Sequence, residues 1–134
     1  MREILFRGKR EENGKWAEGY YLTVKNNYMG VEKSVIITPE NAVINGNGDL
    51  GGMWIVIPET VGQYIGGVDK NGKMVFEGDI VKFKGEFYVV KYIEKYNRFA
   101  GVKPKTIFAV FNFSNAEIVG NIYDNPEMMK GDSL

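Results

Sequence analysis

Glu59-Thr-Val-Gly-Gln-Tyr-Ile-Gly-Gly-Val-Asp-Lys-Asn-Gly-Lys-Met-Val-Phe-Glu-Gly-Asp-Ile-Val-Lys-Phe83 sets a Gly-Gly pair, an Asn-Gly pair and a Gly-Asp pair between short apolar runs. Asn and Gly accept positive φ at little steric cost, so pairs of this kind mark tight turns between strands. The stretch therefore reads as closely turned β-structure joining two halves of the chain. Asn13-Gly14 repeats the signal near the start, and Gly120 near the end. Asn13, Gly14, Asn71, Gly72, Gly78, Asp79 and Gly120 are the expected turn residues.

Outward from this centre the chain keeps the same grammar. Residues 2–7 alternate as a strand, and Trp16 to Val24 returns as an aromatic-rich strand with Trp16, Tyr20, Tyr21 and Leu22, its aromatics reading as core or sheet packing. Tyr28 to Thr38 carries the β-branched pair Ile36-Ile37, and Pro39-Glu40-Asn41 suits one short helical turn capped by Thr38. Residues 45–52 read as a flexible loop, and Met53 to Ile57 as a strand ended by Pro58. Further on, Ile80–Phe83 and Phe87–Glu94 flank the turn at Lys84-Gly85-Glu86. Tyr96 to Lys105 reads as a polar connection, Thr106–Phe111 and Glu117–Tyr123 as strands, and Asp124-Asn125-Pro126-Glu127 as the cap of one terminal helical turn.

The expected fold is mainly β, with two small β subdomains at residues 1–73 and 74–134 and short helical turns only. The strand count and spacing after residue 74 suggest an SH3-like barrel. Seventeen glycines in 134 residues, beside four prolines, exceed the usual level of about 7% and suit many tightly turned strands.

Composition removes whole classes of chemistry. The chain has no cysteine and no histidine, so disulfides, sulfur or imidazole zinc sites, Cys nucleophiles and His-based triads are excluded. Seventeen basic residues balance seventeen acidic ones, a neutrality that disfavours a general polyanion binder and permits self-association. The opening residues lack the apolar core of a signal peptide, and no run approaches 18 apolar residues. The expectation is a soluble cytoplasmic protein without a membrane segment.

Two apparent ligand-binding motifs compete with plain turn chemistry. Gly67-Val-Asp-Lys-Asn-Gly-Lys73 matches most of a phosphate-binding loop, but Met74 stands where a hydroxyl should reach Mg²⁺ and no helix follows. Asp69-Lys70-Asn71-Gly72 echoes a calcium loop with its glycine too early and Ile80 in place of the bidentate Glu. A type I′ turn, or a type I turn with a bulge at Gly72, explains these residues better. Glu59, Glu77 and Asp79 are the carboxylates available to a divalent cation, the basis of a metal-hydrolase alternative. No catalytic residue, metal ligand or cofactor is assigned.

One charge asymmetry remains. Residues 79–105 hold seven positives against three negatives, with tyrosines among them. Lys82, Lys84, Tyr88, Lys91, Tyr92, Lys95 and Arg98 are the candidate contacts to single-stranded nucleic acid, by stacking over a charged groove. The competing reading is a set of solvated strand edges, where lysine discourages aggregation.

Three blocks also resemble the YopX family of phage and prophage proteins. They are Met1-Arg-Glu-Ile-Leu-Phe-Arg-Gly-Lys9 with Asn13-Gly14-Lys15-Trp16 and Gly19-Tyr20-Tyr21; Glu59-Thr-Val-Gly-Gln-Tyr64 with Asp69–Lys73 and Phe76–Val81; and Ile118-Val-Gly-Asn-Ile-Tyr-Asp-Asn-Pro-Glu127. Ile65 and Val75-Phe76 depart from the family's more usual Thr and Ile-Tyr, keeping apolar or aromatic character. The resemblance implies a mainly β protein of two subdomains, encoded by a phage or prophage in a bacterial host and assembling with itself. It brings no activity and no catalytic residues. The leading expectation is thus a non-enzymatic accessory protein acting by binding, as a homo-oligomer.

Overall fold

Strands dominate because β-branched and aromatic residues alternate between residues that turn the chain. The structure is a computed structural model that describes residues 4–26, 30–44, 46, 50–103 and 109–130. The chain divides into two compact units, Met1–Gln63 and Tyr64–Leu134.

In the first unit, β1 (Phe6–Lys9), β2 (Trp16–Asn26), β3 (Val31–Ile37) and β6 (Met53–Val56) lie in the order β6-β3-β2-β1, all antiparallel. The β1–β2 connection turns at Asn13-Gly14 as expected. Gly14 takes φ +71°, the Asn13 side chain accepts the Lys15 N–H at 2.9 Å, and Arg10 N–H donates to the Lys15 carbonyl at 2.8 Å. The far ends of β1 and β6 then meet: Arg10 bridges Val56, Glu11 N–H reaches the Ile55 carbonyl at 2.9 Å, and Ile57 N–H reaches that of Lys9 at 2.8 Å. Gly8 permits the approach, because a Cβ there would sit 3.0 Å from Val56. Ala17, Ile36 and Val56 form the core, with Phe6, Tyr21, Trp54 and Val61 packed around them.

Two local expectations change in this unit. The turn Pro39–Asn41 forms, but Thr38 does not cap it with its side chain. The Thr38 hydroxyl instead accepts the Trp54 indole N–H at 3.0 Å, a half-buried donor that needs a partner more than a solvent-facing turn does. Within the expected loop, β5 (Leu50–Gly51) pairs with β4 (Val43–Ile44). Residues 45 and 47–49 of that loop lie outside the described residues.

β7 (Gly62–Val68) pairs first with β1 through Gly62 and Gln63, then with β8 (Met74–Phe76) through Tyr64 and Val68. In the second unit, β9 (Asp79–Phe83), β10 (Glu86–Ile93), β11 (Arg98–Val102) and β12 (Glu117–Asn121) form an antiparallel sheet in the order β11-β10-β9-β12. The described strands form an open sheet, so the expected closure into an SH3-like barrel is not seen. Apolar residues cover both faces. Val75, Val81, Val90 and Ala116 are buried on one, and Ile80, Val89 and Met129 on the other, the last from the short helix α1 (Glu127–Lys130).

β11 corrects the reading of residues 96–105 as a polar connection. Its centre is Ala100, 1% exposed, and Gly101, where a Cβ would meet the Phe111 ring at 2.8 Å. Small residues were needed for this packing, and small residues leave a weak strand signal. Of the strand expected at 106–111, residues 106–108 lie outside the described set, and Ala109 makes a single bridge to Gly101. Gly120 sits within β12 rather than in a turn, at a register shift, where a Cβ would lie 2.6 Å from the Asn125 side-chain oxygen.

Candidate interaction surfaces

Antiparallel register assigns the side chains paired along β2, β3 and β6 to one of two faces. Tyr21, Ile36 and Trp54 stand opposite one another on the core face. Tyr20, Ile37 and Met53 form the next row on the outer face, Leu22, Val35 and Ile55 the following one, and Val24 stands opposite Lys33. Seven apolar side chains therefore share one outer surface. Tyr20 is 51% exposed, Ile55 46%, Met53 39%, Leu22 38% and Val24 38%, while Val35 in their midst is 3% exposed. Tyr20, expected in core or sheet packing, thus lies in the sheet but on its outer face, half exposed.

The area left open is on the order of a few hundred Å², the scale at which an apolar patch marks an interaction site. A shallow groove of about 340 Å³, lined by Glu11, Glu12, Met53, Trp54 and Ile55, runs along its β6 margin. At the β1 margin of the same face, Arg7 and Lys9 lie over the Trp16 ring, at 4.6 and 5.7 Å from its centroid. The surface has the make-up of an interface, apolar in the middle and charged at the rim. Broken alternation was its sequence trace: apolar residues occupy both parities of β2 and β3, more than one buried face uses.

Asp69 and Asp79 serve the backbone. Asp69 is 2% exposed and accepts three N–H groups, from Asn71 and Lys73 on one oxygen and from Ile118 on the other, each at 2.9 Å. Burial pushes its pKa up, but the Ile118, Lys73 and Asn71 donors and the Lys73 charge outweigh burial and hold it below the ordinary value. Gly72 takes φ +81° and donates to the Asp69 carbonyl at 3.0 Å, whereas Asn71 keeps negative φ. The type I turn with a bulge at Gly72 is therefore the form adopted. Asp79 is buried likewise and accepts the Phe76 N–H at 2.8 Å, beside Gly78 at φ +90°.

Glu59 lies in the turn Pro58–Thr60 of the first unit, and Glu77 with Asp79 in the second. Among the described residues no three His, Cys, Asp or Glu side chains come together as a cation site.

The seven basic and aromatic candidates divide by position on β10. Lys82 (opposite Phe87), Lys84 and Tyr88 belong to its first end, where Tyr88 packs against the buried cluster and the Phe111 ring. Lys91, Tyr92, Lys95 and Arg98 gather at the other end, around the turn into β11, with Arg98 directly opposite Ile93. Along β10 Val89 and Val90 lie between Tyr88 of the first group and Lys91 of the second, about 10 Å of strand.

Two antiparallel sheets, the first with an apolar outer face left half exposed, define a mainly β protein. The family model described as YopX protein matches residues 5–130, and the chain belongs to that family. It is similar in structure to protein EF1440 from Enterococcus faecalis, with a TM-score of 0.59 and 23% identity, over 96% of this chain and 99% of that one. That likeness concerns the fold. No curated protein matches the chain.

Proposed function

We propose that this protein is a non-enzymatic phage or prophage accessory protein that acts by binding within the bacterial host, its copies assembling through the outer face of β2, β3 and β6. The supporting observation is the ring of five half-exposed apolar side chains around Val35. A second copy of the same face is the occupant the balance of charge favours, since a net charge of zero opposes no self-contact. Two such faces meeting across a two-fold axis bury the same residues twice, the isologous arrangement commonest among homo-oligomers. The outer-face residues already sit in a finished sheet, so association costs little ordering.

Size-exclusion chromatography with light scattering tests this directly. Leu22→Glu with Ile55→Glu places two charges in the middle of the patch without touching the core face. The assembly is expected to fall to monomer while the melting temperature of the monomer stays close to that of the parent. A parent protein that is monomeric at every concentration, or a double variant that assembles unchanged, overturns the reading.

A further inference from the structure

We infer that the tip of the β10–β11 hairpin is a binding site for a short run of single-stranded nucleic acid. β11 folds the chain back so that Ile93 faces Arg98, Tyr92 faces Phe99 and Lys91 faces Ala100. Asn97, left-handed at φ +52°, closes the turn and returns its N–H to the Glu94 carbonyl at 3.2 Å. The result brings three cations, Lys91, Lys95 and Arg98, beside the exposed rings of Tyr92 and Tyr96, which are 41% and 51% accessible.

Two features separate this tip from ordinary solvated charge. First, Lys33–Glu11, Lys70–Glu117 and Lys103–Glu86 form ion pairs, and the three tip cations take part in none of these. Glu94 is the one carboxylate on the turn, so the tip keeps a positive excess. Second, the Tyr92 ring is held in place. It meets Phe99 edge-on, with centroids 5.0 Å apart and planes at 71°. A ring already fixed loses little freedom when a base stacks on it.

Lys91 and Arg98 project from the sheet face opposite Tyr92. A strand lying across the tip therefore sets bases against Tyr92 on one side while its phosphates pass Lys91 and Arg98 on the other. Sequence-tolerant stacking over a positive track is how single strands are bound without base readout. The small number of cations limits the site to a few nucleotides. The other end of β10 is no part of it, since Tyr88 there is packed into the buried cluster. This inference stands independently of self-assembly through the first unit.

Fluorescence anisotropy of labelled oligo(dT) and oligo(rU) with the full-length protein at low salt is the test. Expected are saturable binding of one or both and a fall of log K with log salt of slope about −2, from three phosphate contacts. Tyr92→Ala is expected to weaken binding about tenfold, Tyr92→Phe to preserve it, and Lys91→Ala with Lys95→Ala and Arg98→Ala to abolish it. Lys82→Ala and Lys84→Asn, at the far end, are expected to change nothing. Absence of binding at low salt overturns the inference. So does binding lost equally with Lys82→Ala, or an affinity matched by heparin and indifferent to Tyr92→Ala, which makes the tip a plain polyanion patch.

Discussion

One carboxylate oxygen of Asp69 accepts the backbone N–H of Ile118 at 2.9 Å, joining the β7–β8 turn to a strand edge 49 residues further on. Lys70 N–H reaches the Ala116 carbonyl beside it, at the same distance. The turn residue that looks most like a metal or phosphate ligand is thus the clasp that covers one edge of β12. Removing the carboxylate leaves three part-buried N–H groups short of an acceptor. Asp69→Ala is expected to cost about 3 kcal/mol, and Asp69→Asn rather less, because one amide oxygen can still accept. Chemical denaturation followed by circular dichroism measures it; a loss below about 0.5 kcal/mol would refute the clasp.

The same carboxylate gives a pH dependence of known sign. Its folded pKa lies below the ordinary value of 3.8, so the folded state favours the ionised form. The contribution is complete above the unfolded pKa, about 4, and fades as pH falls through the lower folded value. Stability measured at pH 7 and at successively lower pH is expected to bring the parent and Asp69→Asn together as the solution becomes acid. Curves that stay parallel from pH 7 to pH 2 would mean the carboxylate is not the source.

Lys84 and Gly85 form the two-residue turn between β9 and β10, both with positive φ, +49° and +78°. A type I′ turn demands this of both positions, and lysine is poorly suited to it. Lys84→Asn or Lys84→Gly is expected to raise stability by about 0.5–1 kcal/mol, less a small loss of the ammonium contact to the Phe83 ring at 5.4 Å. Gly85→Val is expected to lower it by more than that. A thermal melt distinguishes them, and a destabilising Lys84→Gly would show the ring contact to outweigh the backbone.

Glycines that look alike in the sequence differ sharply in what surrounds them. A Cβ on Gly19 would lie 2.0 Å from the Ile37 carbonyl oxygen, which is backbone and cannot turn aside. A Cβ on Gly67 meets nothing within 4 Å, and its φ is not of the left-handed kind. Gly19→Ala is therefore expected to prevent the first unit from folding, and Gly67→Ala to be neutral or slightly stabilising. Soluble yield and melting temperature report both.

What the sequence made legible follows the range of the forces involved. Asn13-Gly14, Asn71-Gly72 and Gly78-Asp79 were readable because positive φ is a property of one residue and its neighbour. β11 was not, because Ala100 and Gly101 are small to admit the Tyr88 and Phe111 rings, a demand set by residues elsewhere in the chain. The outer surface of the first unit was hidden for a related reason. Tyr20, Leu22 and Val24 have the composition of a core, and only the register with β3 and β6 shows which face they occupy. Turn chemistry identified Asp69 as a structural residue, but its bond to Ile118 needed the fold.

Arg10 supplies a last test, in the first unit. Its guanidinium carbon lies 3.7 Å from the centroid of the Trp54 ring, and its Nε is buried with no hydrogen-bond partner among the described residues. Stacking on the indole is then what keeps the charge in place, and it also pins the bridge between Arg10 and Val56. Lysine carries the same charge without the flat face. Arg10→Lys is expected to cost about 1 kcal/mol and Arg10→Ala about 2, since a desolvated cation–ring contact reaches that size. In a Trp16→Phe background, where Trp54 is the remaining tryptophan, its emission should shift to the red in both variants as the indole loses its cover. If Arg10→Lys matches the parent in both stability and emission, the contact is incidental and the β1–β6 bridge is held by its backbone bonds alone.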